Sequence, residues 1–137
     1  MLLSARILTN VGGVNLYDSV QQAEMTEGDA PAIYFQLVDL SQDRVAQGFN
    51  PPGRRFMPAA GATLKTSLGS VDNTKGVIDR TCTQPFSLDP SIWKLQLLSS
   101  DTVRGTFDLR IVLTEGSTVT RGVVKAAVTS TPQTTAY

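Results

Sequence analysis

In LLSSDTVRGTFDLRIVLTEG, residues 97–116, side chains able to do chemistry stand close together: Ser99, Ser100, Asp101, Arg104, Asp108, Arg110 and Glu115. Asp101 and Glu115 flank a run of alternating residues. Paired carboxylates are what a glycosidase needs, one to protonate the leaving group and one to act as base or nucleophile. Spacing argues against that chemistry. At about 3.4 Å per residue, two acids marking the ends of an extended strand lie roughly 45 Å apart, whereas glycosidase pairs sit about 5 to 10 Å apart. Asp101 reads instead as a turn residue bonding its own backbone, and Glu115-Gly116 as the close of a hairpin.

Nucleophilic catalysis is equally poorly provided for. The chain has no histidine, the usual base for a serine or cysteine nucleophile and a usual zinc ligand. Its one cysteine, Cys82, excludes an internal disulfide and reads as a small apolar filler or a partly exposed thiol. MTEGDAP (25–31) and VDNTKG (71–76) carry acids beside glycine, but neither has the ligand count of a calcium loop or the glycine spacing of a phosphate loop. Both read as turns, and no metal or cofactor is expected. In PPGRRF (51–56), Arg54 and Arg55 stand beside Phe56, a combination found in nucleic-acid sites and in protein interfaces. In a chain of zero net charge the trio is a candidate protein interface, or two plainly solvated arginines, rather than a nucleic-acid site.

These residues need elements to hold them. At 137 residues the chain matches one domain with a sizeable core. Its 12 basic residues cancel its 12 acidic ones, which gives no argument for nucleic acid or an anionic membrane. Distribution is uneven, however: residues 1–53 hold Asp18, Glu24, Glu27, Asp29, Asp39 and Asp43 against Arg6 and Arg44, a net −4 that the remainder balances with +4. Such a dipole would help copies dock head to tail, although scatter over a solvated surface is the plainer reading. The opening MLLSARILTNVGG lacks the basic start and long apolar run of a signal peptide or membrane span, so synthesis in a cytosol is expected.

Alternation predicts strands. Phe107, Leu109, Ile111 and Leu113 share one face of residues 106–113, which sends Asp108 and Arg110 to the other face as an exposed pair. Ile33, Phe35 and Leu37, then Ala62, Leu64 and Leu68, repeat the pattern, and Val119–Val128 is a β-branched run. VIDRTCT (77–83) is β-prone but less regular. LDPSIWKLQLLSSD (88–101) fits a helix started by Asp89-Pro90, or a strand from Ile92 with Trp93, Leu95 and Leu97 on one face; the neighbouring strands favour the second. Trp93 is then a core residue. The proline-rich stretch 41–60 predicts a long connection with a short strand at Arg54–Met57. Short strands between Gly, Pro, Asn and Asp clusters predict an all-β, antiparallel sandwich or barrel. Residues 1–13 and 131–137 are expected to be extended N- and C-terminal arms around a sandwich at 14–130, ordering against a neighbouring molecule.

One family pattern fits the C-terminal half. Leu97, Asp101 and Thr102 form a strand end; Gly105, Phe107, Leu109 and Leu113 an amphipathic strand; Thr114 and Gly116 a turn; and Val119, Gly122 and Val124 a final Val-rich strand. This resembles the small immunoglobulin-like domains of tailed-bacteriophage virions, such as the N-terminal domain of baseplate upper proteins. YFQLVD (34–39) and GATLKTSL (61–68) are similar to the earlier strands of such domains, and the likeness covers roughly 31–130. It implies an immunoglobulin-like β-sandwich in a virion, made in the host cytoplasm, with no enzymatic activity, homo-oligomeric and bound to other virion structural proteins. Baseplate upper proteins continue into a segment that carries receptor-binding proteins, so this chain is expected to be a freestanding head decoration protein or small tail or baseplate component. A second expectation from another class is a carbohydrate-binding β-sandwich module using Tyr17 or Tyr34, and a third is a histidine-independent hydrolase.

Overall fold

A computed structural model describes residues 1–8, 19–20, 22–41, 54–70 and 77–132. Among these are ten strands: β1 (Leu3–Leu8), β2 (Ser19–Val20), β3 (Ala23–Thr26), β4 (Ala32–Asp39), β5 (Arg54–Arg55), β6 (Thr63–Ser70), β7 (Arg80–Thr81), β8 (Ile92–Gln96), β9 (Gly105–Glu115) and β10 (Thr118–Thr131). They form two five-stranded sheets. In the first, the order is β2-β1-β4, and the far edge of β4 is shared by β8 and β5. The second runs β3-β10-β9-β6-β7. All pairings are antiparallel except β3 with β10, which makes the second sheet mixed.

Period-two patterning builds the core. Phe107, Leu109, Ile111 and Leu113 of β9, with Leu64 and Leu68 of β6, meet Ile33, Phe35 and Leu37 of β4 and Trp93 and Leu95 of β8 in one hydrophobic cluster. Both sheets therefore enclose a single apolar interior, as a β-sandwich requires. Trp93 is buried, as expected, although its indole N–H has no hydrogen-bond partner among the described residues. The strand expected from Ile92 is present, and Asp89 supplies a turn before it rather than a helix cap: its carboxylate accepts the Ser91 N–H at 3.2 Å.

The expected N-terminal arm is corrected. Residues 3–8 form an interior strand, paired along its length with β4 from Leu3↔Asp39 to Leu8↔Tyr34, and all six residues are buried. Leu3, Ala5 and Ile7 belong to the core cluster. The remainder of that segment, 9–13, lies outside the described residues. At the other end, β10 runs to Thr131, with Ser130 buried and paired parallel to Met25, so the chain is held in the sheet up to the start of the expected tail. Residues 133–137 lie outside the described residues.

The chain passes from one sheet to the other at β2–β3, β3–β4, β5–β6, β7–β8 and β8–β9. Beside the β2–β3 crossing, the Gln22 amide donates to the Ala126 carbonyl at 3.0 Å. At the β7–β8 crossing, Cys82 N–H donates to the Leu64 carbonyl at 2.9 Å, while Thr83 exchanges backbone bonds of 3.1 and 2.8 Å with Lys94. That crossing is what the irregular VIDRTCT pattern encodes: only Arg80–Thr81 is a strand, and the next residues change sheet.

Candidate interaction surfaces

Each acid that opened the sequence reading is used by the scaffold. Asp101 ends a single turn of 3-10 helix, Ser99–Asp101, where its carboxylate accepts the Leu98 N–H at 2.7 Å and pairs with Arg80 at 3.0 Å. Glu115 accepts the Ala59 N–H at 2.8 Å and leads into the β9–β10 hairpin, whose Gly116 takes φ +61°. A positive φ at the first of two turn residues suits a type II′ hairpin and favours glycine.

Asp108 departs from expectation. It is buried and makes no exposed pair with Arg110; it accepts the Ala126 N–H at 2.8 Å and pairs with Lys125 at 3.5 Å. A bulge between Val124 and Val128 explains this, because it folds Lys125 and Ala126 back toward β9, with Ala126 at φ +49°. Asp108→Ala is expected to destabilise by about 1–3 kcal/mol in urea titration, because it strips the acceptor from a part-buried N–H, whereas Asp108→Asn retains an acceptor and costs less. Equal losses for the two variants would show that the bond to the bulge does not matter.

The candidate trio Arg54, Arg55 and Phe56 sits at the edge of the first sheet. Arg54 and Arg55 are exposed on β5, opposite Asp39 and Val38. Phe56 is half-buried against the core, anchored by its N–H on the Leu37 carbonyl at 2.8 Å. Arg55 reaches Asp89 at 3.5 Å and so ends a polar seam on the outer face of that sheet. Along the seam Arg6 donates to Gln36 (2.8 Å), Gln36 donates to Ser91 (3.0 Å), and Ser91 donates to Asp89 (2.5 Å). Desolvation lowers the Arg6 pKa from its ordinary value. The seam ties β1, β4, β5 and the turn before β8 into one unit. Tyr34, also on this outer face, stacks on Phe86 with ring centroids 6.5 Å apart. Tyr17 lies outside the described residues, as does the turn expected at 71–76.

A surface that sequence reading did not assemble lies on the outer face of the second sheet. The register places Lys65, Val112 and Arg121 side by side across β6, β9 and β10, and Ser67, Arg110 and Val123 in the next row. Strands about 4.8 Å apart put Lys65 and Arg121 about 10 Å from each other, with Arg110 about 7 Å along the sheet. All three are exposed, and none makes an ion pair among the described residues. Gly69 gives Arg110 room to lie along the sheet, since a Cβ there would come within 3.2 Å of its guanidinium carbon.

The acidic counterpart is the end of β3 and its turn. Glu24 and Asp29 are exposed and Glu27 is half-buried. The buried Thr102 pins this tip: its hydroxyl accepts the Gly28 N–H at 2.9 Å and donates to the Asp29 carbonyl at 2.7 Å. Gly28 has φ +91°, a conformation that favours glycine. Beside the tip, a half-open cleft of about 460 Å³ is lined by residues that include Val20, Ala23, Met25 and Ile33.

Cys82 is buried, 3.4 Å from the Thr66 hydroxyl, and is the apolar filler rather than an accessible thiol. Burial pushes its pKa up from 9.0 to about 11. Below about pH 9 the thiol is neutral in the folded and unfolded chain alike. Between about pH 9 and 11 only the unfolded chain ionises, so Cys82 should lower stability as pH rises through that window. The expected measurements are a Cys82→Ala chain lacking this component of alkaline destabilisation, and thiol labelling at pH 8 that is fast only in denaturant. Compared with family models, curated proteins and solved structures, the chain matches none.

Proposed function

We propose that this chain is a non-enzymatic structural protein of a tailed-phage virion, present in multiple copies and bound to neighbouring virion proteins as a head decoration protein or a small tail or baseplate component. The observation that carries the reading is the use of the chain's chemistry-bearing groups. Asp101, Asp108 and Glu115 hold turns, a bulge and a loop, while Lys65, Arg110 and Arg121 are left exposed on one sheet face. The immunoglobulin-like class of sandwich belongs to the same proposal, supported by the resemblance of residues 97–124 and by two sheets around one core. Arg54 and Arg55, exposed on an edge strand, are further contact candidates. Antibody raised against the chain should label intact, gradient-purified particles at a regular position by electron microscopy. Label confined to the soluble fraction would overturn the reading.

The carbohydrate-binding reading comes second, favoured by the partly exposed Tyr34–Phe86 stack. Glycan-array binding that disappears in Tyr34→Ala would support it, and an array without hits would end it.

A further inference from the structure

Building on the multi-copy reading above, we infer that the basic outer face of the second sheet, Lys65, Arg110 and Arg121, is the docking surface for the acidic β3 tip, Glu24, Glu27 and Asp29, of a second copy of this chain. Part of the charge imbalance between the two parts of the sequence becomes spatial in the fold. Three of the upstream acids, Glu24, Glu27 and Asp29, lie on the edge strand β3 and the turn that follows it, and three of the downstream bases lie on the face of β6, β9 and β10.

Among the described residues, none of these six forms an ion pair. Both patches are also held in place before any encounter. Thr102 and the Glu27 N–H bond to the Thr131 carbonyl (2.8 Å) fix the tip, and the continuous ladder through β9 fixes the face. A pre-ordered charged surface loses less entropy on docking than a mobile one.

The geometry is heterologous: one copy's tip meets the next copy's face, so each copy retains a free tip and a free face, and rings or rows follow. A face of three basic residues within roughly 10 Å is far smaller than the about 800 Å² per partner of a standard stable interface. A single contact is therefore weak, and it becomes strong only when repeated through an array. Exposed charges at this distance are screened by salt, with a Debye length of about 8 Å at physiological ionic strength, so association should be salt-sensitive.

Charge reversal tests the pairing with the full chain. Arg110→Glu with Arg121→Glu makes face and tip both acidic, and Glu24→Lys with Asp29→Lys makes both basic. All four positions are exposed, so thermal unfolding should show both variants folded. By light scattering at low salt, the unaltered chain should gain average mass with concentration and lose that gain at about 0.5 M salt. Each variant alone should associate at least tenfold more weakly, and an equimolar mixture should recover association, because each acidic face then meets a basic tip. Association of the unaltered chain that is indifferent to both reversals would overturn this interface while leaving multi-copy assembly intact. A monomer at every concentration would overturn copy-to-copy docking, and particle labelling would then decide separately whether the chain belongs to a virion.

Discussion

Removal of residues 1–8 is expected to abolish cooperative folding, not merely to weaken assembly. β1 lies between β2 and β4, and its deletion strips the ladder from Tyr34–Asp39 along one whole edge of β4. It also takes Leu3, Ile7 and Leu8, each 5 % exposed or less, out of the interior. At about 1.5–3 kcal/mol for each buried aliphatic side chain, those three alone contribute about 5–9 kcal/mol, comparable with the whole stability of a typical domain at about 5–15 kcal/mol. Loss of Arg6 would further leave the buried Gln36 carbonyl oxygen without its donor. Circular dichroism with urea titration should show no cooperative transition in the truncated chain. A truncated chain with a sharp transition and a nearly unchanged midpoint would return β1 to the role of a free arm.

Gly122→Val carries the second largest expected effect. A Cβ at Gly122 would stand 2.2 Å from the Leu3 carbonyl oxygen and 2.9 Å from its carbon, so the added atoms meet β1 backbone rather than a side chain able to swing away. Gly122 also faces Ile111 across the β9–β10 ladder, which blocks retreat in that direction. Overpacking against fixed backbone should cost about 3 kcal/mol or more, seen as a fall in Tm of roughly 10 °C. Val123→Thr, one residue along on the exposed face, should stay within about 0.5 kcal/mol of the original. Similar Tm values for the two variants would mean that β1 and β10 do not pack as described.

Both predictions concern the strand that sequence reading missed, and the reason is physical. β9, β4 and β6 were legible because one face of each is strongly apolar, as with Phe107, Leu109, Ile111 and Leu113. In β1 the outward positions Ser4, Arg6 and Leu8 are themselves buried, so its pattern does not separate an inner face from a solvated one. A mid-strand arginine near a terminus looks like solvated chain until Gln36 is known to receive it. Asp108 was misplaced for a related cause. Alternation put it on the outer face correctly, but only the bulge at 124–128 brings the Ala126 N–H and Lys125 onto it. The basic face draws Lys65, Arg110 and Arg121 from three strands, and only register makes them neighbours. Sequence showed the sign of the imbalance and not its place. The turn roles of Asp101 and Glu115 were legible from local chemistry alone.

The most direct test of the proposed structural role is the copy number of this chain in purified particles, measured by quantitative mass spectrometry against a structural protein of known stoichiometry. A virion component assembling in multiple copies predicts many copies per particle, at a ratio that stays fixed through successive gradient purifications. A ratio that falls toward zero with each purification would contradict the account and leave a β-sandwich that works outside the particle.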